Sequence, residues 1–343
     1  MFFSLYPTDT DEVRSAVVAG VRDQPEDTLV FTSLHIPESR DLHTFGDYLT
    51  RLHEGEGFEF CADISPVTLE ALGLGIDELG LLRTWGVRSV RIDFGFDPAQ
   101  VRRIAQVGQF EVAVNASTAD ASLLDALDGV PVVGWHNYYP RPETGLSEAF
   151  FDQQNALFAS RGLEVYSFIP GEVSHRAPLF LGLPTLEVHR YRNAYSAYLE
   201  THLRHPGVRV VCAEGVLHPA HLRWITHFEQ TGVVTLPLVS VDPAVRYLRG
   251  RSWHLRPEGS DSSFRLEETR GATVPERIIN ADLRGRGSIQ VDLPGYGRYA
   301  GEVHLMRRDR PLTHLAAFAG CIAQPYLGLV DVLRPGMTVR FEE

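Results

Sequence analysis

The chain has 343 residues, of which 32 are basic and 44 are acidic, so its formal net charge is −12. Its 44% of hydrophobic residues is typical of a folded globular protein, and the acidic balance argues against nucleic acid and anionic membrane as partners. All the basic residues are Arg and none is Lys, which excludes Schiff-base catalysis, pyridoxal phosphate attachment and Walker-type nucleotide binding.

Neither a membrane span nor a secretion signal is predicted. No apolar run approaches the roughly 18 to 20 residues needed to cross a bilayer, and the start, MFFSLYPTDTDEV, lacks a cationic segment. The three cysteines are far apart and fit neither a disulfide framework nor a zinc site. The sequence therefore predicts a cytoplasmic protein with reduced thiols.

Residues 1–235 alternate between short apolar runs and segments of helical period. The predicted strands are 2–6, 28–34, 58–64, 88–94, 110–115, 130–136, 163–169 and 208–213. The predicted helices include 11–22, 97–106, 147–161, 186–203 and 219–231. Eight such units predict a (β/α)8 TIM barrel as the first domain. A doubly wound sheet is the alternative, although no Gly-rich phosphate loop follows the first strand.

Residues 236–343 have a different rhythm, in which short alternating runs are separated by Gly, Pro and Asp turns. This pattern predicts a small all-β domain, closed into a barrel. The second domain holds 15 Arg against 13 acids, whereas the first holds 17 Arg against 31 acids. Either this difference is random drift, or the small domain supplies Arg to an anionic ligand.

Polar side chains follow the ends of nearly all the predicted barrel strands. Because active sites of such barrels lie at the carboxyl ends of the strands, these side chains are expected to share one pocket. The candidates at the strand ends and in the loops after them are His35, Asp63, Asp93, Asn115, His136, Asn137, Tyr138, Tyr139, Arg141, Glu143, Glu172 and Arg176.

Paired carboxylates are suited to glycoside hydrolysis. Asp63 and Asp93 come from neighbouring strands and can face one substrate atom, and Glu143 could reach the same atom from the far side. Each has an alternative role. Asp63 could cap the next helix, Asp93 could pair with Arg91 or Arg141, and Glu143 could be a solvated loop acid.

The other polar residues predicted at the strand ends have two possible roles, metal binding and sugar binding. His35 and His136 could join these acids in a metal site, but no metal-ligand spacing supports one, so neither metal nor cofactor is predicted. Asn137, Tyr138 and Tyr139 suit sugar binding through amide hydrogen bonds and aromatic faces, although at least one ring could belong to the core. The sequence contains no Gly-x-Ser-x-Gly elbow, so a serine hydrolase is not predicted.

Several strings, in this order and spacing, resemble the bacterial 6-phospho-N-acetylmuramidase family from about residue 2 to the end of the chain. In the first domain they are FTSLHIPES (31–39), ADISPVTLEALGL (62–74), RIDFGF (91–96), NAST (115–118), HNYYPRPETGLS (136–147), FIPGE (168–172) and LGLPTLEVHR (181–190). In the second domain they are RLEETR (265–270), YGRYAGEV (296–303) and LVDVLRPGMTVRF (329–341).

The resemblance implies a TIM barrel followed by a small cyclophilin-like β-barrel. It also implies an exo-acting glycosidase that removes N-acetylmuramic acid 6-phosphate from the non-reducing end of a β-1,4-linked disaccharide with N-acetylglucosamine, in cytoplasmic cell-wall recycling. The substrate, a phosphorylated amino-sugar disaccharide, would be the expected small-molecule partner. Two segments depart from the family pattern: GEVSHR at 171–176 and Ala-Glu-Gly at 213–215.

A phosphate and a lactyl carboxylate would have to be bound by Arg in a chain without Lys. Arg141, Arg176 and Arg190 are predicted on the barrel rim, and Arg270 and Arg298 lie in matching strings of the small domain, which could cap the rim. The alternative for Arg270 is a salt bridge to the adjacent acids at 267 and 268.

The sequence leaves three mechanisms open: retaining, inverting, and assisted by the 2-acetamido group of the substrate. It also leaves two other functions open, a lyase or etherase acting on the lactyl ether and a non-catalytic phosphosugar-binding protein. The need for the 6-phosphate and the oligomeric state, with a homodimer among the options, are not determined.

Overall fold

The computed structural model describes residues 1–24, 28–35, 41–276 and 283–342. The chain forms two compact units, Met1–His218 and Pro219–Glu343. The helix after the eighth strand thus groups with the second unit, whereas the sequence analysis ended the first domain at residue 235; that domain boundary stays a prediction. None of the helices in the described residues combines the length and apolar character that a membrane crossing requires.

The strands of the first unit run parallel in sequential order, and in the described residues there are eight. They are β1 Phe3–Ser4, β2 Leu29–Ser33, β3 Glu59–Ile64, β4 Val87–Ile92, β5 Glu111–Asn115, β6 Val132–Trp135, β7 Val165–Ile169 and β8 Val208–Cys212. A parallel bridge between Phe2 and Val211 connects the first strand to the last. The sheet therefore approaches closure, and the predicted TIM-like barrel is confirmed.

Helices follow the strands around the outside, as the amphipathic repeats predict. They are α1 Asp11–Arg22, α2 Leu42–Glu56, α3 Pro66–Leu72, α4 Pro98–Gly108, α5 Ala121–Ala126, α6 Glu148–Ala159 and α7 Ala194–Arg204. The next helix in the chain, α8 Pro219–Thr231, belongs to the second unit. Two 3₁₀ helices, Ile76–Trp85 and Glu187–His189, interrupt this pattern. The single helix predicted over 186–203 is wrong, because Asn193 accepts a hydrogen bond from the Ser196 N–H at 2.8 Å and starts a separate helix there.

Local signals fix two of the helix starts next to the site. Asp97 caps α4 because its side chain accepts a hydrogen bond from the Gln100 N–H at 2.8 Å, and the Gln100 side-chain oxygen accepts one from the Asp97 N–H. Ser65 is the N-cap of α3, and its backbone N–H donates to Thr68 Oγ1 at 3.1 Å. Because Ser65 holds the cap position, Asp63 is not required for it and its carboxylate faces the barrel.

Aromatic residues fill the barrel interior below the strand ends. Trp135 stacks on Tyr166 at 4.3 Å between ring centroids and on Phe31 at 5.3 Å, and Phe168 contacts Phe31 edge-on at 5.0 Å. All four side chains are buried. This layer closes the floor of the barrel, so polar residues one layer higher line a cavity and not a pore.

The second unit is a curled, mostly antiparallel sheet. In the described residues its strands are β9 Val233–Val239, β10 Ser252–His254, β11 Ser263–Arg265, β12 Leu283–Arg284, β13 Ser288–Asp292, β14 Val303–Met306, β15 Arg310–Pro311, β16 Ala316–Ile322 and β17 Thr338–Glu342. The main sheet has the order β10-β17-β9-β16-β13-β14-β11, with β12 and β15 paired separately. An antiparallel bridge between Leu255 and Leu266 joins its two edges, so the sheet closes on itself as a small barrel does.

Candidate functional site

A cavity of about 320 Å³ opens at the carboxyl ends of the barrel strands. This volume is at the lower end of the range for small-molecule sites. Seven of the predicted site residues line it: His35, Asp63, Asp93, His136, Asn137, Tyr138 and Arg176. Its other walls include Phe31, Ser33, Arg91, Pro140, Phe168, Ala177, Pro178 and Leu183.

Arg91 is the charged centre of this cavity. Its Nη1 lies 3.0 Å from Asp63 Oδ1 and 3.3 Å from Asp93 Oδ1, and its Nη2 donates to Asn137 Oδ1. One guanidinium thus connects side chains from three strand ends. It fixes the two carboxylates relative to each other, which favours a preorganised site.

The two carboxylates lie in different surroundings. Asp63 has 9% of its side chain exposed and also accepts a hydrogen bond from Ser33 Oγ at 3.4 Å. Burial raises the pKa of the Asp63 carboxyl, although the Arg91 charge opposes this rise. Asp93 is 29% exposed and accepts a bond from Asn115 Nδ2 at 3.3 Å. Two acids in contrasting environments are the usual basis for dividing acid and base roles.

His136 is held as a neutral side chain at the base of the cavity. Its Nδ1 lies 3.1 Å from Ser117 Oγ, and its Nε2 lies 3.0 Å from Asn155 Oδ1. Burial lowers the pKa of His136 to about 4, so the imidazole is uncharged near neutral pH. Ser117 also accepts the Asn137 N–H at 2.9 Å, so this chain of bonds positions the residue that Arg91 contacts.

His35 lines the same cavity and follows the end of β2. Its Nδ1 lies 2.7 Å from Ser65 Oγ, and its ring meets the edge of Phe94 at 5.0 Å between centroids. The Ser65 contact orients the imidazole of this cavity-lining residue.

Arg176 forms part of the wall next to the aromatic layer. Its guanidinium carbon lies 3.5 Å above the Tyr6 ring. Burial opposes its charge, but the facing phenols of Tyr6 and Tyr138 raise the pKa of the guanidinium. Among the described residues, no carboxylate oxygen lies within 4.0 Å of it. A buried cation without a carboxylate partner, facing a cavity, is suited to an anionic ligand.

The two segments that depart from the family pattern contact each other. Glu214 Oε2 accepts the backbone N–H of Arg176 at 2.6 Å, and Glu214 Oε1 lies 3.1 Å from His175 Nδ1. Burial raises the pKa of the Glu214 carboxyl. Glu214 therefore holds the loop that carries Arg176.

Five other residues predicted at the strand ends do not line the cavity: Asn115, which binds Asp93, and Tyr139, Arg141, Glu143 and Glu172. Arg141 and Glu143 lie on the exposed loop after β6. Glu172 accepts the N–H groups of Ala194 at 2.9 Å and His218 at 2.8 Å, so its carboxylate ties loops together. Tyr139 is half-buried, and burial raises the pKa of its phenol.

An ion pair below that loop holds it in place. Arg190 binds Glu187 with two nitrogens, at 2.6 and 2.7 Å, and Glu187 accepts the N–H groups of Glu143 and Gly145 at 2.9 and 2.8 Å. The Arg190 hydrogen bonds lower the pKa of Glu187 to about 2. Arg190, predicted on the rim, is thus engaged in shaping the loop.

In the second unit, Arg270 contacts Glu302 at 3.2 Å and lies 4.8 Å from the Tyr299 ring. Its carboxylate partner is therefore Glu302 and not the adjacent acids that the sequence suggested. Arg298 donates to the Tyr299 hydroxyl at 2.8 Å. Arg256 also approaches Glu302, at 3.4 Å, so several guanidinium groups surround one buried carboxylate.

The same carboxylate belongs to a group that could hold a cation. Ligand atoms of Asp292, Glu302 and His304 lie within 4.8 Å of one another. The arginines that contact Glu302 add positive charge to this group, which disfavours a metal ion there.

Sequence reasoning missed Arg91 as a site residue and considered it only as a partner of Asp93. A usable signal existed, because Arg91 is a charged residue inside the apolar strand SVRIDFG. A buried charge is retained only with partners, so its position predicts neighbouring acids. Asn155, which lies on α6, carried no such signal.

Comparisons with known proteins give the family. Residues 3–209 match the family model described as 6-phospho-N-acetylmuramidase, N-terminal, and residues 242–342 match the one described as 6-phospho-N-acetylmuramidase, C-terminal. Among solved structures, the chain is similar to a conserved protein of unknown function from a locus in Enterococcus faecalis, with 26% identity, a TM-score of 0.84, and coverage of 100% of this chain and 96% of that one. It shares its fold with an uncharacterized B. cereus protein, with 21% identity, a TM-score of 0.76, and coverage of 100% and 99%. No curated protein matches.

Proposed function

The chain belongs to the 6-phospho-N-acetylmuramidase family, and we propose that it is an exo-acting glycosidase that releases N-acetylmuramic acid 6-phosphate from the non-reducing end of a β-1,4-linked disaccharide with N-acetylglucosamine. The family implies a glycosidase. The end of the substrate that is attacked, the disaccharide and a role in cytoplasmic cell-wall recycling are parts of the proposal.

The observation that carries the proposal is the pair of carboxylates on one guanidinium nitrogen. Asp63 and Asp93 both contact Arg91 Nη1, so the oxygens involved are separated by no more than the sum of 3.0 and 3.3 Å. Inverting glycosidases hold their carboxyls roughly 6.5 to 9.5 Å apart to accommodate a water. Retaining glycosidases hold them about 5 to 5.5 Å apart, so a shared guanidinium nitrogen is compatible with a retaining route and with one assisted by the 2-acetamido group.

The raised pKa of Asp63 supports a role as the proton donor to the leaving oxygen, because a general acid works best when its pKa is raised from that of an ordinary carboxyl towards the working pH. The more exposed Asp93 would then act as the nucleophile, or would orient the acetamide in the assisted route. His35, Asn115, His136, Asn137, Tyr138 and Tyr139 are proposed to position the sugar or the carboxylates.

Recognition of the anionic groups is proposed to rest first on Arg176, whose guanidinium faces the cavity without a carboxylate partner among the described residues. A planar guanidinium can bind two oxygens of a phosphate or a carboxylate at once. Arg141, Glu143 and Glu172 stay candidates for contacts at the mouth, and Arg270 and Arg298 of the second unit stay candidates for the phosphate.

The test is turnover of the phosphorylated disaccharide and of its unphosphorylated twin, with products identified by mass spectrometry. We expect free N-acetylglucosamine from the phosphorylated form. Asp63→Asn should retain binding and lose roughly 10²- to 10⁴-fold in turnover, whereas Asp77→Asn, which changes an exposed carboxylate, should match the wild type. Arg176→Gln should raise KM for the phosphorylated form more than for its twin.

Three results would contradict this proposal in distinguishable ways. Full activity of Asp63→Asn would remove that residue from catalysis. Release of lactate without free N-acetylglucosamine would indicate a lyase or etherase. Tight binding with no turnover in the folded wild type, unaffected by Asp93→Asn, would indicate a binding protein.

A further inference from the structure

A second cavity, of about 510 Å³, opens at the opposite end of the barrel from the carboxylate site. It lies where the strands begin: Arg88 is the second residue of β4, Glu111 is the first residue of β5, and Pro131 directly precedes β6. Loops at this end of such barrels usually serve stability and not catalysis. A cavity of this size there calls for an occupant or a structural reason.

Two arginines at this cavity have only neutral partners. Arg102 donates to the carbonyl oxygens of Ala126 and Asp128 at 2.7 to 3.1 Å. Arg83 donates to the carbonyl oxygens of Val87 and Arg88 at 3.0 and 3.4 Å. Among the described residues, neither has a carboxylate within 4.0 Å. Carbonyl bonds fix the direction of a guanidinium but leave its charge without an opposite charge.

This positive charge stands out against its surroundings. Residues 1–235 hold 17 Arg against 31 acids, yet three arginines line this one cavity. The third, Arg88, is paired with Glu59 at 2.7 Å. The described lining carries three arginines against the carboxylate of Glu111, so its net charge is positive and attracts an anion.

Glu111 adds a hydrogen-bond acceptor to the same cavity. Its Oε1 is buried and has no hydrogen-bond partner among the described residues. A ligand hydroxyl or amine would therefore donate to the other oxygen of this carboxylate, because Oε1 is out of reach from the cavity. Ala105, Phe110 and Val130 supply the apolar part of the lining.

We propose that this cavity binds a small hydroxylated organic anion of the sugar phosphate or sugar acid class. Arg83 and Arg102 would bind the phosphate or carboxylate, Glu111 would accept a bond from a hydroxyl, and the apolar lining would contact the carbon skeleton. The site is separate from the carboxylate cavity, and it does not depend on the activity proposed above.

The test is calorimetric titration with glucose 6-phosphate in an Arg176→Gln background, which weakens anion binding at the other end of the barrel. Adding Arg83→Gln and Arg102→Gln should weaken binding at least tenfold, since hydrogen bonds between charged partners are the strong ones. The matched control adds Arg103→Gln, because Arg103 is on the same helix, pairs with Asp77 at 2.7 Å and does not line the cavity; it should leave binding unchanged.

Further titrations separate the parts of the site. Gluconate should bind as a second member of the class, and neutral glucose should bind at least tenfold more weakly. Glu111→Leu, which removes the acceptor, should weaken glucose 6-phosphate binding relative to inorganic phosphate binding, which the loss of a negative charge should leave equal or make tighter. Circular dichroism checks the fold, and Arg83→Gln alone, which loses bonds to only two carbonyls, replaces the combined variant if that variant is unfolded.

Three outcomes would overturn the proposal. The first is no binding of either anion to the Arg176→Gln protein. The second is equal binding of glucose and glucose 6-phosphate. The third is an equal loss of binding in the Arg103→Gln control, which would show only a general effect of surface charge.

Discussion

Replacing Arg91 by Gln should destabilise the barrel more than any exposed arginine substitution. Arg91 and Asp63 have side-chain exposures of 4% and 9%, and removing one partner of such a buried pair costs about 3 to 5 kcal/mol. For a unit of 218 residues, about 2 to 4 °C of melting temperature are lost per kcal/mol. We therefore expect the melting temperature at neutral pH to fall by roughly 6 to 20 °C.

The stability lost in Arg91→Gln should increase as pH rises. The pKa of Asp63 is already raised by burial, and loss of the Arg91 charge should raise it further. A carboxyl with a raised pKa in the folded state contributes its full stability below the unfolded value, about 3.9, and this contribution is lost as pH rises through the folded value. The difference between wild type and variant should therefore be small near pH 4 and largest near pH 7.

Thermal unfolding followed by circular dichroism at several pH values between these limits measures the effect. Arg103→Gln is the control, because its pair with Asp77 is exposed and should be worth less than about 1 kcal/mol. Arg91→Lys should be intermediate, since one ammonium keeps the charge but cannot reach both aspartates and Asn137. A loss of stability that is equal at low and neutral pH, or no greater than that of Arg103→Gln, would contradict this prediction.

Four further predictions concern single residues of the first unit. Glu187→Gln should be less stable than the wild type above about pH 4.5, and the difference should disappear as pH falls towards 2, because the pKa of Glu187 is lowered to about 2 by its bonds; urea titrations across this range check it. Burial lowers the pKa of His136 to about 4, so the wild type should lose stability as pH falls from about 6.5 towards 4. His136→Gln should lose less stability over this pH range, and an unchanged acid sensitivity would contradict the prediction. Gly171→Ala should cost about 1 to 3 kcal/mol, because the added Cβ would lie 1.9 Å from the Glu214 carbonyl oxygen. Gly55→Ala, in open space within α2, should instead stabilise by about 0.5 to 1 kcal/mol, as thermal melts would show.

The departures from the family pattern at 171–176 and 213–215 read as unrelated changes in the sequence. In the structure they are one unit, because Glu214 binds both His175 and the backbone of Arg176. A change in one segment without the other would leave a buried carboxylate or a loop N–H unpartnered, so the two segments are expected to vary together.

Patterns along the chain were enough to predict the barrel strands, the helix that begins at 97, and the end of the barrel at which Asp63 and Asp93 lie. These features depend on apolar periodicity and on capping bonds between residues three apart, which are local. The prediction of one helix over 186–203 was wrong for a local reason too, because Asn193 starts a new helix inside an otherwise helical pattern.

The tertiary structure alone decided which of the many polar rim residues meet. Arg91 joins residues 28 and 46 positions away, and Glu172 turns from the cavity to bind backbone groups 22 and 46 positions away. The cavity that Arg83, Arg102 and Glu111 line exists only because the strand starts β4 to β6 converge. Such contacts are set by closure of the barrel, which brings distant strand ends within hydrogen-bond distance, and no periodicity along the chain encodes those distances.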